Sequence, residues 1–472
     1  MFEKIQRVVK LAIKQEYTKA SIYYVAANII GQGIVLLSSA VFTRMMSKED
    51  YGLVNTYSTW VLVLNTFICL NLFISVRTSY IDFREDYDRY NSSVLLLTIL
   101  CGGAMTIAIV CAVRLTGMDF GTWEVALACV QSVALNVVNY MLAIQSMKNE
   151  YKRRVFMMIV PNWTHILLSI VLMLVYTQNL YMAKIAGNAL GMLAFGVLCA
   201  VMLFRNAAPK VTLKYWKYAF RISVPSIFNT LSDLILMQCD RLMLTAMVGA
   251  EETAEYSVVY NVSSIIIAIY QAINGAWLPW FFGRVKEGDV ERTKKYQRYY
   301  MVIFTAFSCG MMTISPELIK VMAPSNYWRG IDYVAPIVVA SYVIFLYTFF
   351  SSYLLYAKRT ARIAVNTVIA AVLNLGMNII LIPRYQSKGA VMATVLSYMV
   401  LYFLHLAAVR KKGKEYFATK AMWTNVAGVI LFGISFYLIR DDWVFRYLMF
   451  GTVFIMMYLL KGRAMIRDLE RD

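Results

Sequence analysis

Residues 220–248 read FRISVPSIFNTLSDLILMQCDRLMLTAMV. The stretch is apolar enough to cross a bilayer as a helix, yet it carries Asn229, Asp233, Asp240 and Arg241. Asn229, Asp233 and Asp240 are spaced by four and seven residues, so a helix sets all three on one face. Ionisable groups at membrane depth are costly, and they are tolerated in a bundle interior or beside a water-filled cavity. Pro225 removes one backbone hydrogen bond near the start of the span, where a kink or hinge is expected. A polar cavity beside this helix, through which something charged passes, is the reading that follows.

The rest of the chain has the same character. Of 472 residues, 60% are hydrophobic and 15% charged. Apolar segments of about 20 residues, each long enough for a hydrocarbon core of about 30 Å, recur along the whole chain. They fall at approximately 20–46, 53–80, 93–115, 123–147, 155–177, 182–204, 220–248, 255–282, 299–322, 332–357, 363–383, 388–409, 420–439 and 443–460. An all-α integral membrane protein of about fourteen transmembrane helices is expected.

A net charge of +19 would suggest a nucleic-acid partner in a soluble protein. Here 34 of the 46 Lys and Arg residues fall in alternate loops, the richest being 148–154, 205–221, 284–298 and 410–420. The opposite loops hold five: Lys48, Arg329, Arg384, Lys388 and Arg440. This positive-inside bias with an even span count places both termini in the cytoplasm and argues against nucleic acid. The seven cysteines lie within spans, and the two histidines have no metal-ligand partner at helical spacing, so neither a disulfide framework nor a metal site is expected. No cleaved signal peptide is indicated at the N-terminus.

Residues 1–19 form a basic amphipathic segment suited to the cytoplasmic membrane surface. Residues 20–205 are expected as an N-lobe of spans 1–6, 206–219 as a cytoplasmic linker, and 220–410 as a C-lobe of spans 7–12. Residues 411–472 hold spans 13 and 14 and a cytoplasmic tail. These last two spans are uniformly apolar and read as a lipid-facing appendage. A shift of 201 residues lays Asn28, Gln32 and Ser39 of the first span on Asn229, Asp233 and Asp240 of the seventh, which suggests two copies of a six-helix unit with the substrate path between them. Polar residues recur in other spans: Asn65, Asn71 and Arg77 in the second, Pro161, Asn162 and His165 in the fifth, Asn261, Gln271 and Asn274 in the eighth, Asn366, Asn374 and Asn378 in the eleventh.

At 373–390 the sequence LNLGMNIILIPRYQSKGA has Asn-x3-Asn-x3-Ile-Pro, then Gly-Ala opening the next span. This resembles the polysaccharide-biosynthesis flippases of the multidrug/oligosaccharidyl-lipid/polysaccharide exporter superfamily. Thr43-Arg44-Met45-Met46 with Glu49-Asp50-Tyr51-Gly52-Leu53 resembles that family's exit from its first helix, and Asp240-Arg241 with Glu251, Glu252 and Tyr256 the equivalent place in its second half. The resemblance implies two six-helix lobes in a V-shaped bundle similar to the MATE exporters, here with two added C-terminal helices. It implies alternating access and an undecaprenyl-pyrophosphate-linked glycan as substrate. A cationic central cavity belongs to the family's pattern; Asp233 and Asp240 beside Arg44, Arg77 and Arg241 depart from it and leave room for a coupling ion.

The cavity candidates are Arg44, Arg77, Arg241, Asn28, Gln32, Asn229, Gln271 and Asn274, with Asp233 and Asp240 as ion-coupling candidates. Each has a plainer alternative: a structural ion pair at Asp240 and Arg241, a snorkelling side chain at Arg44, a positive-inside anchor at Arg77. No GxxxxGK loop occurs, so ATP hydrolysis is not built in. No cofactor is expected beyond a proton or sodium ion. The expected function is a flippase, not an enzyme, serving O-antigen, capsule or exopolysaccharide synthesis in a bacterial cell membrane. Its partners would be lipid-linked oligosaccharide, membrane lipids, a polymerase and glycosyltransferases. A cation-coupled exporter and a peptidoglycan-precursor flippase are the alternatives. A membrane-embedded polymerase or ligase would need a larger external loop than any present.

Overall fold

The computed structural model describes residues 16–116 and 121–459. The amphipathic segment up to residue 15 and the tail beyond 459 lie outside the described residues. Among those described, every regular element is helical. The first six spans are Glu16–Met45, the broken pair Lys48–Ile68 and Ser75–Asp82, Tyr87–Thr116, Thr122–Met147, Tyr151–Val175 and Leu180–Asn206. Leu213–Met247, Ala250–Glu287, Val290–Met322 and Val334–Tyr356 are the seventh to tenth. Thr360–Ala408 holds the eleventh and twelfth, and Thr419–Ile439 and Trp443–Met457 complete fourteen. Among the described residues nine helices, with Thr360–Ala408 counted once, or ten with the broken second span, are long and apolar enough to cross a membrane.

Two interruptions shape the helices. The second span bends by 68° between Lys48–Ile68 and Leu72–Asp82. Leu70 and Asn71 there have φ of 50° and 55°, left-handed conformations that are costly for residues with a Cβ. The segment Thr360–Ala408 breaks at Gln386, φ 53° and ψ −132°. Gly389 follows the break, and a Cβ on it would stand 2.3 Å from the Leu381 carbonyl oxygen, so only glycine fits this close return of the chain.

The chain forms two compact units. One contains residues 1–38 and 46–238, the other 39–45 and 239–472. The division falls inside the first and seventh spans, at positions that the 201-residue offset brings within one residue of each other. In the first unit Ser132 Oγ donates to the Val61 carbonyl while Asn65 Nδ2 donates to that of Ser132, a polar clasp between the second and fourth spans. Gly187 and Gly191 let the sixth span approach the fifth at Ser169 and His165, where any Cβ would lie 2.4 and 2.7 Å from backbone. His165, one of the polar residues noted in the fifth span, bonds Asn162 at 3.2 Å within this contact.

The second unit is built on the tenth span, whose Tyr342, Phe345 and Phe349 pack on Phe304 and Trp277. Residues 275–279 lie within the continuous helix Ala250–Glu287, with Trp277 only 2% exposed, so they are not a frayed end. Spans 13 and 14 keep the exposed apolar faces expected of a lipid-facing appendage, Leu438 and Phe445 among them, and each also makes polar contacts with the unit. Asn425 accepts from Thr305, and Arg446, 1% exposed, donates to the Thr313 carbonyl and makes a two-nitrogen ion pair with Glu317. A buried guanidinium demands such partners, and they make these spans an integral part of the unit.

Candidate transport site

The seventh span runs as one helix from Leu213 to Met247, with Pro225 inside it. Its polar residues divide between two environments. In the first unit, Asn229 Nδ2 donates to Asp233 Oδ2 at 3.3 Å, one helical turn apart, and Asp233 is exposed. One turn earlier, Asn71 at the break of the second span donates to Ser226 Oγ at 3.2 Å and Thr230 Oγ1 at 2.8 Å. The unwound backbone of span 2 is therefore tied to the helix that carries the Asn229–Asp233 pair.

In the second unit Asp240 is 2% exposed and fully engaged. Its Oδ1 accepts from Asn378 Nδ2 at 2.7 Å, and its Oδ2 accepts from Tyr256 Oη at 2.7 Å and Thr394 Oγ1 at 2.6 Å. Asn378 Nδ2 also donates to Asn374 Oδ1 at 3.1 Å. One carboxylate thus gathers neutral donors from the eighth, eleventh and twelfth spans, the last two separated by the break at Gln386. Asn374 and Asn378 are the asparagines of the Asn-x3-Asn motif. The Asn378 Oδ1 oxygen is buried without a hydrogen-bond donor. The same amide turns its nitrogen to the carboxylate and leaves its oxygen unsatisfied, and a buried oxygen in that state calls for a donor or a cation.

Arg241 takes other partners. It is 9% exposed, its guanidinium lies 5.0 Å over the Tyr260 ring, and Nη2 donates to Asn261 Oδ1 at 3.5 Å. Tyr260 in turn stacks on Tyr256 at 5.9 Å. Asp240, Tyr256, Tyr260 and Arg241 therefore form a continuous run of hydrogen bond, ring contact and cation–π contact.

The other sequence candidates have varied surroundings. Arg44 donates to the carbonyls of Ala40 and Val321, each at 2.7 Å, and Thr43 donates to that of Met322. The Val321 and Met322 carbonyls end the ninth span, so Arg44 and Thr43 satisfy a helix C-terminus. Arg77 is exposed on the short helix after the break in span 2. Asn28 and Gln32 are half-buried on the first span, Gln271 is exposed, and Asn274 is half-buried with its Oδ1 unpaired. The structure thus brings Asn229 to Asp233 and gives Asp240 and Arg241 separate settings.

Sequence reasoning missed Thr394, whose hydroxyl reaches a carboxylate 154 residues away. It also passed over Lys184, 5% exposed within the sixth span, which donates to Asn188 at 3.0 Å; its charge inside an apolar span was the available signal. Among the described residues no group of three His, Cys, Asp or Glu is placed to hold a metal ion.

Comparison with known proteins adds three findings. The family model described as polysaccharide biosynthesis protein matches residues 17–283. The "Probable low-salt glycan biosynthesis flippase Agl15" of Haloferax volcanii is 25% identical over 244 residues, 49% of this chain and 48% of the relative. The matched region spans about half of that relative's length. Among solved structures, "Lipid II flippase MurJ, inward closed conformation" has a TM-score of 0.70 at 15% identity, covering 95% of this chain and 99% of that one. A "multidrug resistance MATE family transporter of the MOP superfamily", in an inward-facing conformation, gives 0.58 at 15% identity, covering 87% and 98%. At such identities the likeness is one of fold.

Proposed function

The chain belongs to the polysaccharide biosynthesis protein family, a family of multi-pass membrane proteins, and from that premise we propose that it is a flippase for lipid-linked oligosaccharides. It moves an undecaprenyl-pyrophosphate-linked repeat unit from the cytoplasmic to the outer leaflet by alternating access, for assembly of a surface polysaccharide. The observation that carries this reading is the family match over residues 17–283, which includes the first span and the seventh span with Asn229, Asp233, Asp240 and Arg241. The fold shared with a lipid II flippase agrees with a lipid-linked substrate.

Two parts of the mechanism follow from charge. A pyrophosphate with about two negative charges moving outward across about 100 mV, inside negative, gains about 2.3 kcal/mol per charge. Membrane potential is therefore one drive. Asp240, with the unpaired Asn378 oxygen beside it, is the coupling-ion site in this reading, and the exposed Asn229–Asp233 pair is a second candidate. Arg241, backed by an aromatic face, and Arg77 are the groups in this reading that meet phosphate, because a guanidinium forks onto two oxygens. Arg44, engaged with backbone carbonyls, contributes to the substrate path only in a conformation that releases them.

The test is deletion of the gene followed by complementation with wild type, Arg241→Ala or Asp240→Asn. Loss of surface polymer, with lipid-linked repeat units accumulating in the cytoplasmic leaflet of viable cells, is the expected result. Normal polymer with drug sensitivity would replace this reading with a cation-coupled exporter. Lethality with swollen cells would replace it with a peptidoglycan-precursor flippase.

A further inference from the structure

The first unit contains a cavity of about 890 Å³ at the end that its basic loops assign to the cytoplasmic side. That volume is in the upper part of the roughly 300–1,000 Å³ range of ligand pockets. Its wall comes from the turn between the second and third spans, from Lys148, and from the connection leading into the seventh span. Asp240 and Arg241 belong to the other unit.

The frame of this cavity is rigid. Phe83 stacks on Tyr90 at 5.2 Å and meets Tyr215 and Tyr218 edge-on at 5.1 and 4.9 Å. Tyr90 donates to Ser75 at 2.8 Å, and the Trp216 indole donates to the Ser93 carbonyl at 3.0 Å. The connection after the sixth span, expected as a membrane-surface linker, is thereby pinned to the turn at 83–86. A preorganised wall saves the ordering cost that weakens a flexible site.

The lining chemistry narrows the ligand. Cations Arg84, Arg89, Lys148 and Lys210 alternate with Glu85, Asp86 and Asp88. Asp86 holds Arg89 at 3.1 Å and Asp88 holds Lys148 at 2.6 Å, while Arg84 and Lys210 have neither an ion pair nor a side-chain hydrogen bond among the described residues. Two of the three carboxylates are spent on Arg89 and Lys148, which leaves Arg84 and Lys210 beside Glu85, a lining of mixed sign whose donors and acceptors suit a neutral polyhydroxyl ligand. A protein partner favours an apolar-centred patch over a polar hollow. Tyr80, Tyr87 and Tyr215 add aromatic rings to carboxylate, amide and guanidinium groups. A pyranose ring offers a face of C–H bonds to an aromatic ring and hydroxyl pairs to planar polar groups.

We propose that this cavity is a docking site for the oligosaccharide portion of the substrate, engaged at the cytoplasmic leaflet before translocation. The proposal rests on the flippase reading and adds a place where the glycan is recognised. Its chemistry selects for sugars, while the lipid carrier and the pyrophosphate are left to the membrane-embedded path.

The test uses the full chain in lipid nanodiscs. The probe is the free oligosaccharide released by mild acid from the host's own lipid-linked pool, followed by saturation-transfer NMR. The variant is Arg84→Ala/Asn206→Ala/Lys210→Ala, all polar surface positions whose loss leaves the aromatic frame in place. Saturable transfer to the wild type, with apparent affinity weakened about tenfold or more in the variant, is expected, since several hydrogen bonds are lost at once. A matching fall in surface polymer should appear in cells. Absence of transfer to the wild type, or equal transfer to both proteins, would overturn the docking site. Polymer that disappears with unchanged glycan transfer, together with lost co-purification of a glycosyltransferase, would overturn it in favour of a protein contact. Failure of the flippase reading is visible separately: the deletion strain would then make normal polymer whatever the variant does.

Discussion

Asp240 shows most directly how a single side chain ties sequence to mechanism. Its two oxygens accept from Asn378, Tyr256 and Thr394, and it is 2% exposed. In Asp240→Asn the amide oxygen still accepts from Asn378, while its N–H groups donate to the two hydroxyls, which accept as readily as they donate. In Asp240→Ala three buried donors lose their acceptor, at about 1–3 kcal/mol each. The expected outcome is a near-native thermal midpoint for Asp240→Asn with transport much slowed, and a clearly lowered midpoint for Asp240→Ala. An alanine variant that melts with the wild type would show that these bonds do not hold the eleventh and twelfth spans together. A parallel case is Arg446, where Arg446→Met removes the buried guanidinium whose two-nitrogen pairing with Glu317 links spans 14 and 9. Glu317→Gln alone leaves that guanidinium buried without its counter-charge and should destabilise by about 3 kcal/mol, while the double change Arg446→Met/Glu317→Leu should restore much of the loss. Denaturation of the three variants in one detergent tests this, and a double variant no better than Glu317→Gln would sink it. Legibility at this scale follows a physical rule. Asp233, Asp240 and Arg241 stand out in sequence because charge in an apolar span is rare. Thr394 does not, because a threonine hydroxyl in a helix is usually satisfied by its own backbone.

At the scale of elements, the fourteen spans were legible from length and hydropathy, and so were the paired asparagines of the eleventh. The break in the second span was not. Asn71 in an apolar run reads like any buried amide, and nothing local announces that it and Leu70 adopt φ near 50°. Tertiary bonds supply the reason: Asn71 holds Ser226 and Thr230 of the seventh span. Two left-handed residues cost about 1–2 kcal/mol apiece. Leu70→Gly relieves one strain but gives up the side chain's packing on the core, so it should cost less than Asn71→Ala, which keeps the strain and loses both bonds. Thermal midpoints that move in the opposite order would place the origin of the break elsewhere. The contact between the fifth and sixth spans gives a sharper expectation. A Cβ at Gly187 would meet Ser169 Cα at 2.4 Å, and backbone cannot yield as a side chain does. Gly187→Ala should therefore lower expression and stability, and Gly31→Ala, where a Cβ meets nothing within 4 Å, should leave both unchanged. Equal behaviour of the two variants would mean that the spans separate at little cost. In the appended pair at the C-terminus, Arg446 escaped the sequence reading for a related reason. Arg446 sits near a span end, where a snorkelling head is cheap, and only packing against Glu317 reveals it as interior.

For the whole molecule the question is what drives transport. Two sources act on different charges: membrane potential acts on the substrate pyrophosphate, and an ion gradient acts through a protein carboxylate. They separate in proteoliposomes that carry a fluorescent lipid-linked oligosaccharide, with a potassium diffusion potential and a sodium or proton gradient set independently. Wild-type flipping should accelerate when the compartment of origin is negative, because about two charges leaving it gain about 2.3 kcal/mol each per 100 mV. It should accelerate again when the coupling cation is supplied on the side from which Asp240 loads. Asp240→Asn removes the carboxylate and keeps its hydrogen bonds, so the variant should lose its response to the ion while its remaining slow flipping still responds to potential. Should that variant respond to the ion as the wild type does, Asp240 is a structural lock, and the exposed Asn229–Asp233 pair becomes the next group to neutralise. Should the wild type ignore potential altogether, the substrate crosses with its charge compensated, and the cation that compensates it must travel with the pyrophosphate itself.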